Sequence, residues 1–340
     1  MKKILLANFA ECPENLHFER AFIRALGGKK VSLDVVHDFD FDYKFIGTLP
    51  PPGGRRFKYS GLEALKRAAR GYDLIVLLDF PKRARCAPAF LWLAREAAAA
   101  KKIYIANHLI PMPGHNMTAD LARRFKALGG LAAGYMLEFD DKGLWGEMGL
   151  SGARLLRRGY ATDCEYYRPQ PGGPGAYVFS AGSAGREFAA LAGGVKNTGL
   201  GLKIFSDAKP ERLPRGAEYQ PLAKNLDKLR ETAARARAVV IPVKDGHINE
   251  AAGNSIAFLA MALGRPVLTK KTPYMERFIK DGVNGFFYTT LSPRTIARGL
   301  NRILALSPAR LKTLSSSARL AILQKASLDR FCAGFVRRFS

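Results

Sequence analysis

Along the first half of the chain, unbroken apolar runs alternate with stretches whose apolar residues recur at helical spacing. Lys3-Ile4-Leu5-Leu6-Ala7 precedes a helix-like segment, Leu16 to Leu26, closed by Gly27-Gly28, and Val31 to Val36 follows as a second run. A Pro/Gly loop, Leu49 to Gly54, leads to a helix from Gly61 to Arg70, then to the run Asp73 to Leu78. A helix over Ala89 to Ala100 and the run Lys102 to Ala106 continue the alternation. The second half repeats it with Ala176 to Ser180, Leu202 to Phe205, Ala238 to Pro242 and Pro266 to Thr269. Apolar runs of this length, separated by helices, predict strands buried on both faces of a parallel sheet. Between the halves lies Arg168-Pro169-Gln170-Pro171-Gly172-Gly173-Pro174-Gly175, which reads as an interdomain linker. The pattern predicts two α/β units joined near residue 172.

Composition agrees. The 340 residues suit about two domains, and 48% hydrophobic with 24% charged residues excludes a disordered chain. No apolar run is long enough to span a bilayer, and the run after Met1 is too brief for a signal peptide, so it is expected to be the first buried strand. Cys12, Cys86, Cys164 and Cys332 have no C-x-x-C spacing, which argues against a zinc knuckle or disulfide framework and for a cytoplasmic location. The net charge is +25, with 27 basic and 18 acidic residues before Pro169 and 27 and 11 from there on. That field favours anionic partners: nucleic acid, an anionic membrane face or phosphorylated small molecules.

The richest stretch runs from Ala238 to Gly285. A strand ending in Pro242 is followed by Val243-Lys244-Asp245-Gly246-His247-Ile248-Asn249-Glu250-Ala251-Ala252-Gly253, and Asn254-Ser255 opens an apolar helix, Ile256 to Leu263. Glycine lets backbone approach a ligand, Asn or Ser caps the helix, and free N–H groups at its start attract phosphate. Gly253-Asn254-Ser255, Ala260-Met261-Ala262-Leu263-Gly264-Arg265-Pro266-Val267-Leu268 and Asp281-Gly282-Val283-Asn284-Gly285-Phe286 together resemble the donor-binding domain of GT-B glycosyltransferases of the family-4 type. Gly159 to Pro169 resembles that family's lead into its linker, and Ser180 to Phe188 its Gly/Arg loop.

The resemblance implies an α/β fold of two Rossmann-like domains facing a cleft (GT-B). Residues 1–168 would bind the acceptor, residues 169–325 the nucleotide-sugar donor, and 326–340 would form a helix packing back on the first domain. It implies sugar transfer from a nucleotide-sugar donor to a hydroxyl of a glycan or lipid-linked acceptor, with retention, no bound metal and no cofactor. Carried over by position, Gly253, Asn254 and Ser255 would donate to the diphosphate, and Arg186 and Lys244 would neutralise charge on the leaving group. Ser183 and His247 lie in the two donor loops, and Tyr219 with Leu222 falls where the family grips the base. The family's glutamate before A-M-A is Leu259 here, and leucine cannot accept a hydrogen bond from ribose. Glu250 is the carboxylate closest in sequence and the catalytic candidate beside His108, which follows the strand Ile103 to Ala106. The replaced glutamate leaves open a noncatalytic GT-B-like protein that holds an anionic ligand or a partner enzyme. His115 is a similar loop histidine, and no His/Cys/Asp cluster has metal-ligand spacing.

Basic clusters offer a second clue. Arg55-Arg56-Phe57-Lys58-Tyr59, Lys66-Arg67-Ala68-Ala69-Arg70, Lys82-Arg83-Ala84-Arg85, Arg154-Leu155-Leu156-Arg157-Arg158 and Arg337-Arg338 interleave cations with apolar residues. They suit peripheral docking on the inner face of an anionic membrane that presents a lipid-linked acceptor. No helix-turn-helix, RNP or zinc signature supports nucleic acid as the partner.

Overall fold

The computed structural model describes residues 1–9, 13–38, 49–69, 71–78, 84–95, 102–107, 134–137, 155–157, 160–207, 209–210, 213, 216–222, 226–247 and 252–337. The chain divides into two compact units, Met1–Tyr160 with Phe331–Ser340, and Ala161–Arg330.

In the first unit β1 (Lys2–Asn8), β2 (Val31–His37), β3 (Arg56–Lys58), β4 (Leu74–Leu78), β5 (Lys102–Asn107), β6 (Gly134–Leu137) and β7 (Leu155–Arg157) form one sheet, ordered β3-β2-β1-β4-β5-β6-β7. Every pairing is parallel. Ile4 to Leu6 and Leu74 to Leu78 are buried on both faces, as their continuous apolar runs require. Helices α1 (Pro13–Leu26), α2 (Leu62–Ala69) and α3 (Ala87–Arg95) belong to this unit. Phe18, Phe22 and Leu26 recur every fourth residue along α1 and are fully buried, forming its inward stripe.

The second unit holds β8 (Tyr177–Ala181), α4 (Phe188–Val195), β9 (Gly201–Ser206), β10 (Glu218–Pro221), α5 (Leu226–Ala234), β11 (Ala238–Ile241), α6 (Asn254–Ala262), β12 (Val267–Lys270), α7 (Pro273–Glu276), β13 (Phe286–Tyr288), α8 (Pro293–Leu304) and α9 (Pro308–Lys325). Its parallel sheet is ordered β10-β9-β8-β11-β12-β13. Val178, Ile204, Val240 and Leu268 from the sheet meet Phe188, Leu191, Ile296, Leu300 and Ile303 from α4 and α8 in one apolar core. In both sheets the strand order reverses beside the first strand of the unit, between β1 and β4 and between β8 and β11. That is the Rossmann arrangement, and the reversal leaves a crevice at the carboxyl ends of the strands.

The boundary falls at Tyr160–Ala161, ahead of the Pro/Gly stretch that the sequence marks as the linker. The residues just after it are tied into the second unit. Thr162 pairs with Ser327, and the Tyr166 hydroxyl donates to Asp227 at 2.8 Å under the Arg230 guanidinium. The Arg319 guanidinium donates to the carbonyls of Ala262 at 2.6 Å and Tyr167 at 3.3 Å. The chain returns to the first unit within α10 (Leu328–Val336), where Phe331 and Phe335 meet Phe18 and Phe22 at ring distances of 6.3 and 5.9 Å.

Two of the basic clusters in the first unit are partly consumed by this packing. Arg56 opens β3 and ion-pairs with the buried Glu19, whose carboxyl is pushed up by burial against the pull of that arginine. Arg85 holds the buried Asp38 through Nε at 2.9 Å. Arg55 donates its backbone N–H to Asp34 at 2.8 Å. Among the described residues no helix is long and apolar enough to cross a membrane.

Candidate functional site

The strand reversal in the second unit brings together two segments, Gly182–Glu187 after β8 and Pro242–His247 after β11. Their backbones are zipped: Arg186 and Val243 form an antiparallel bridge, Glu187 N–H donates to Pro242 O at 2.9 Å, and Lys244 N–H donates to Gly185 O at 2.8 Å. Tyr288, the last residue of β13, pins the second loop from below. Its hydroxyl accepts from Val243 N–H at 2.7 Å and donates to Ile241 O at 2.8 Å. Burial pushes that phenol well above its ordinary range, which keeps it a donor. On the far side Asp245 is held by Lys270 at 2.8 Å and by Leu291 N–H at 2.9 Å.

Arg186 occupies the centre. Its Nε donates to Ala181 O at 3.2 Å and its Nη1 to Ala184 O at 2.8 Å, so the guanidinium is clamped by backbone carbonyls from the end of β8 and from its own loop. Among the described residues no carboxylate pairs with it. Burial lowers its pKa to about 10, which still leaves it charged near neutral pH. An ion held in this way, without a counter-charge, favours an incoming anion.

The start of α6 faces the same guanidinium. Its cap is Gly253, at φ 96°, and among the described residues no side chain caps the helix start. Asn254 and Ser255, which the sequence suggests as caps, are instead the first two residues of the helix. A Cβ at Gly253 would lie 2.4 Å from Ile241 Cγ2 and 3.3 Å from Arg186 Nη2, so the cap position admits only glycine on two counts. Asn254 is 2% exposed, and its Nδ2 has no partner among the described residues. Open N–H groups and the positive end of the helix dipole therefore sit beside a cation that lacks a counter-ion.

His247 closes the group. It packs over Gly185 so tightly that a Cβ there would fall 2.5 Å from its Nε2, and that nitrogen has no partner among the described residues. Burial, then Arg186, Lys244 and Lys270, push its pKa below the ordinary value. The Lys244 amine is turned to Glu187 at 3.9 Å, both of them well exposed.

The expected base-gripping residues stand at β10, two strands from β8 in the same sheet. Ser183 Oγ lies 3.2 Å from Ser206 Oγ and accepts from Asp207 N–H at 2.8 Å. Tyr219 donates its hydroxyl to Ser206 O at 3.1 Å, and Leu222 N–H donates to the same oxygen at 3.1 Å. Ser206 at the end of β9 thus joins Ser183 to Tyr219 and Leu222. His108 and Glu250 lie outside the described residues. The structure adds Gly185, Tyr288, Lys270 and Asp245 to the residues singled out from sequence. Gly185 lies in the Ser180–Phe188 stretch that the letters mark, whereas Tyr288 carries no local signal of its role.

Leu259 is 4% exposed within a helix in which every residue but Ser255 is buried. The Asp281–Gly285 stretch is a turn held by its own side chains and by Arg302, which pairs with Asp281 at 2.8 Å. Asn284 accepts from Lys280 N–H at 2.7 Å and donates to Phe278 O at 3.0 Å, while Asp281 accepts from Phe287 N–H at 2.9 Å. Among the described residues no three His, Cys, Asp or Glu side chains are grouped to hold a metal ion.

No protein-family model and no curated protein matches the sequence. The whole chain nevertheless superposes on solved structures. A sucrose-phosphate synthase from Thermosynechococcus elongatus matches with a TM-score of 0.69 at 14% identity, over 100% of this chain and 98% of that one. A glycosyltransferase from Rickettsia africae matches with a TM-score of 0.70 at 10% identity, over 99% and 97%. The chain has the GT-B fold. Anabaena HepE, solved with UDP-glucose, matches this GT-B chain with a TM-score of 0.69 at 14% identity, over 100% and 99%.

Proposed function

We propose that this protein is a glycosyltransferase that moves a sugar from a nucleoside-diphosphate sugar to a hydroxyl of a glycan or lipid-linked acceptor. The observation that carries the reading is the clamped Arg186 guanidinium, without a counter-charge, set against the uncapped start of α6 at the strand reversal. Such a site binds a diphosphate and stabilises the charge that grows on it as the sugar leaves, by preorganised donors rather than by reorganisation. His247 adds a neutral imidazole that can donate to, or take up a proton beside, the same phosphates. Ser183, Lys244, Asn254 and Ser255 would complete the phosphate and sugar contacts, with Tyr219 and Leu222 on the base side.

The named complex of HepE with UDP-glucose supports a nucleotide-sugar donor, since the fold is shared. Retention, metal independence, acid–base roles for His108 and Glu250, and a peripheral position on the inner membrane face complete the proposal. A noncatalytic GT-B-like binding protein is the second reading, favoured by Leu259: α6 offers no carboxylate to a ribose. The diphosphate contacts must then supply most of the affinity.

The test is a thermal-shift titration with UDP, ADP, GDP and their sugars, alongside an assay for nucleoside-diphosphate release. Ligand binding to the native state raises the melting temperature. A nucleotide-specific shift that Arg186→Gln abolishes, with sugar-dependent release, is expected. A shift without release under any acceptor, or no shift from any nucleotide in a folded sample, overturns the transferase reading and selects the second, a protein that holds an anionic ligand or a partner enzyme.

A further inference from the structure

From Gly282 to Leu328 the chain contains no aspartate or glutamate, yet it carries Arg294, Arg298, Arg302, Arg310, Lys312, Arg319 and Lys325. Two of these are used internally. Arg319 caps the carbonyls of Ala262 and Tyr167, and the Lys325 amine donates to Arg277 O at 2.9 Å. The others are exposed.

Helix α8 organises the exposed set. Ile296, Leu300 and Ile303 are fully buried on one side. Arg294, Arg298 and Arg302 recur every fourth residue on the other, about 6 Å apart along the axis by helix geometry. With Ala297, Asn301 and Ala305 they line a shallow depression of about 560 Å³. Arg302 is paired with Asp281 at 2.8 Å, whereas Arg294, Arg298, Arg310 and Lys312 have no acidic partner among the described residues. Beside the Arg302 end, next to Gly282, Val283 is 53% exposed, one of the few large apolar side chains so placed among the described residues.

We propose that this face of α8 docks the protein on an anionic lipid bilayer. The helix presents long cationic side chains in a row, spaced by small residues that let a flat charged surface approach. Such a row gains from headgroup phosphates, while the exposed valine can enter the boundary between headgroups and chains. The face carries no aromatic side chain on which bases would stack, which disfavours a polynucleotide. The inference is independent of the nucleotide site: loss of nucleotide binding leaves it standing, and loss of lipid binding leaves the donor reading untouched.

The experiment is co-sedimentation of the full chain with vesicles of phosphatidylcholine alone or mixed with phosphatidylglycerol, at low and high salt. Binding only to the anionic vesicles, weakened by salt, is expected. At about fivefold per arginine, Arg294→Gln with Arg298→Gln should lower partitioning about 25-fold with an unchanged melting temperature. A matched control, Lys29→Gln with Lys30→Gln at an exposed turn of the first unit, should retain it. Equal binding by the α8 double variant, loss only in the control, or capture of oligonucleotide without vesicle binding would each overturn the proposal.

Discussion

Tyr288 and Val243 are 45 residues apart, yet the Tyr288 hydroxyl closes the Val243 N–H at 2.7 Å and holds the loop that follows β11. Tyr288→Phe removes both of the hydroxyl's short hydrogen bonds and leaves Val243 N–H with only its bond to Ile241 O at 3.0 Å. A cost of about 1–3 kcal/mol to the second unit is expected. Hydrogen–deuterium exchange should show it first in the peptide spanning β11 and its loop, and nucleotide affinity should fall with it.

Gly253→Ala places a methyl against Ile241 and Arg186 at a backbone angle that alanine rarely adopts. Nucleotide binding should be lost, because either the helix start or the guanidinium must move. Gly246→Ala is the control: φ is 71° there but the space is open, so only backbone strain of about 1–2 kcal/mol is expected. Calorimetric titration of both variants separates collision from strain. Equal loss of binding in the two would show that the close approach at Gly253 is not what matters.

The lowered pKa of His247 has opposite consequences for the free and bound protein. Without ligand, the unfolded chain takes up a proton near pH 6.5 before the folded one does, so this group makes stability fall as pH drops through that value. A bound diphosphate offsets the neighbouring cations and raises the same pKa, so binding takes up a proton and tightens as pH falls. Affinity measured between pH 8 and 6, about one unit either side of neutrality, should therefore be steeper with pH in the wild type than in His247→Gln. Parallel profiles would remove His247 from the phosphate site.

Arg56→Ala strands the buried Glu19 and should cost the first unit about 3–5 kcal/mol, whereas Glu19→Gln with Arg56→Met should cost less. Both tryptophans, Trp92 and Trp145, fall before Ala161, so urea unfolding followed by their fluorescence reads this unit selectively.

The long central strands were legible in the sequence, because burial on both faces writes an unbroken apolar run such as Leu74 to Leu78. The short outer strands were not. Arg56–Lys58 and Leu155–Arg157 read as basic clusters, and Phe286–Tyr288 reads as part of a turn motif; each is a strand only through pairing with its neighbour. At the site, Arg186 and Gly253-Asn254-Ser255 stood out because a glycine at a helix start and an arginine after a strand are local patterns. The clamp by Tyr288 and the Lys270–Asp245 pair were invisible, since each depends on residues brought together by the sheet. Asn254 shows the limit of letter-by-letter reading: it looks like a cap, yet the positive φ at Gly253 shifts the helix start and turns it into the first helical residue.

The aromatic stripe of α1 has a consequence for the order of events during synthesis. Phe18 and Phe22 emerge from the ribosome early, but Phe331 and Phe335, which cover them, follow only after the whole of Ala161–Arg330 has been made. The first unit is thus a discontinuous folding unit whose closure waits on a distant segment. Until then its rings are a surface for chaperones, and a ribosome stalled before Phe331 would release a chain whose second half is complete and whose first half is not.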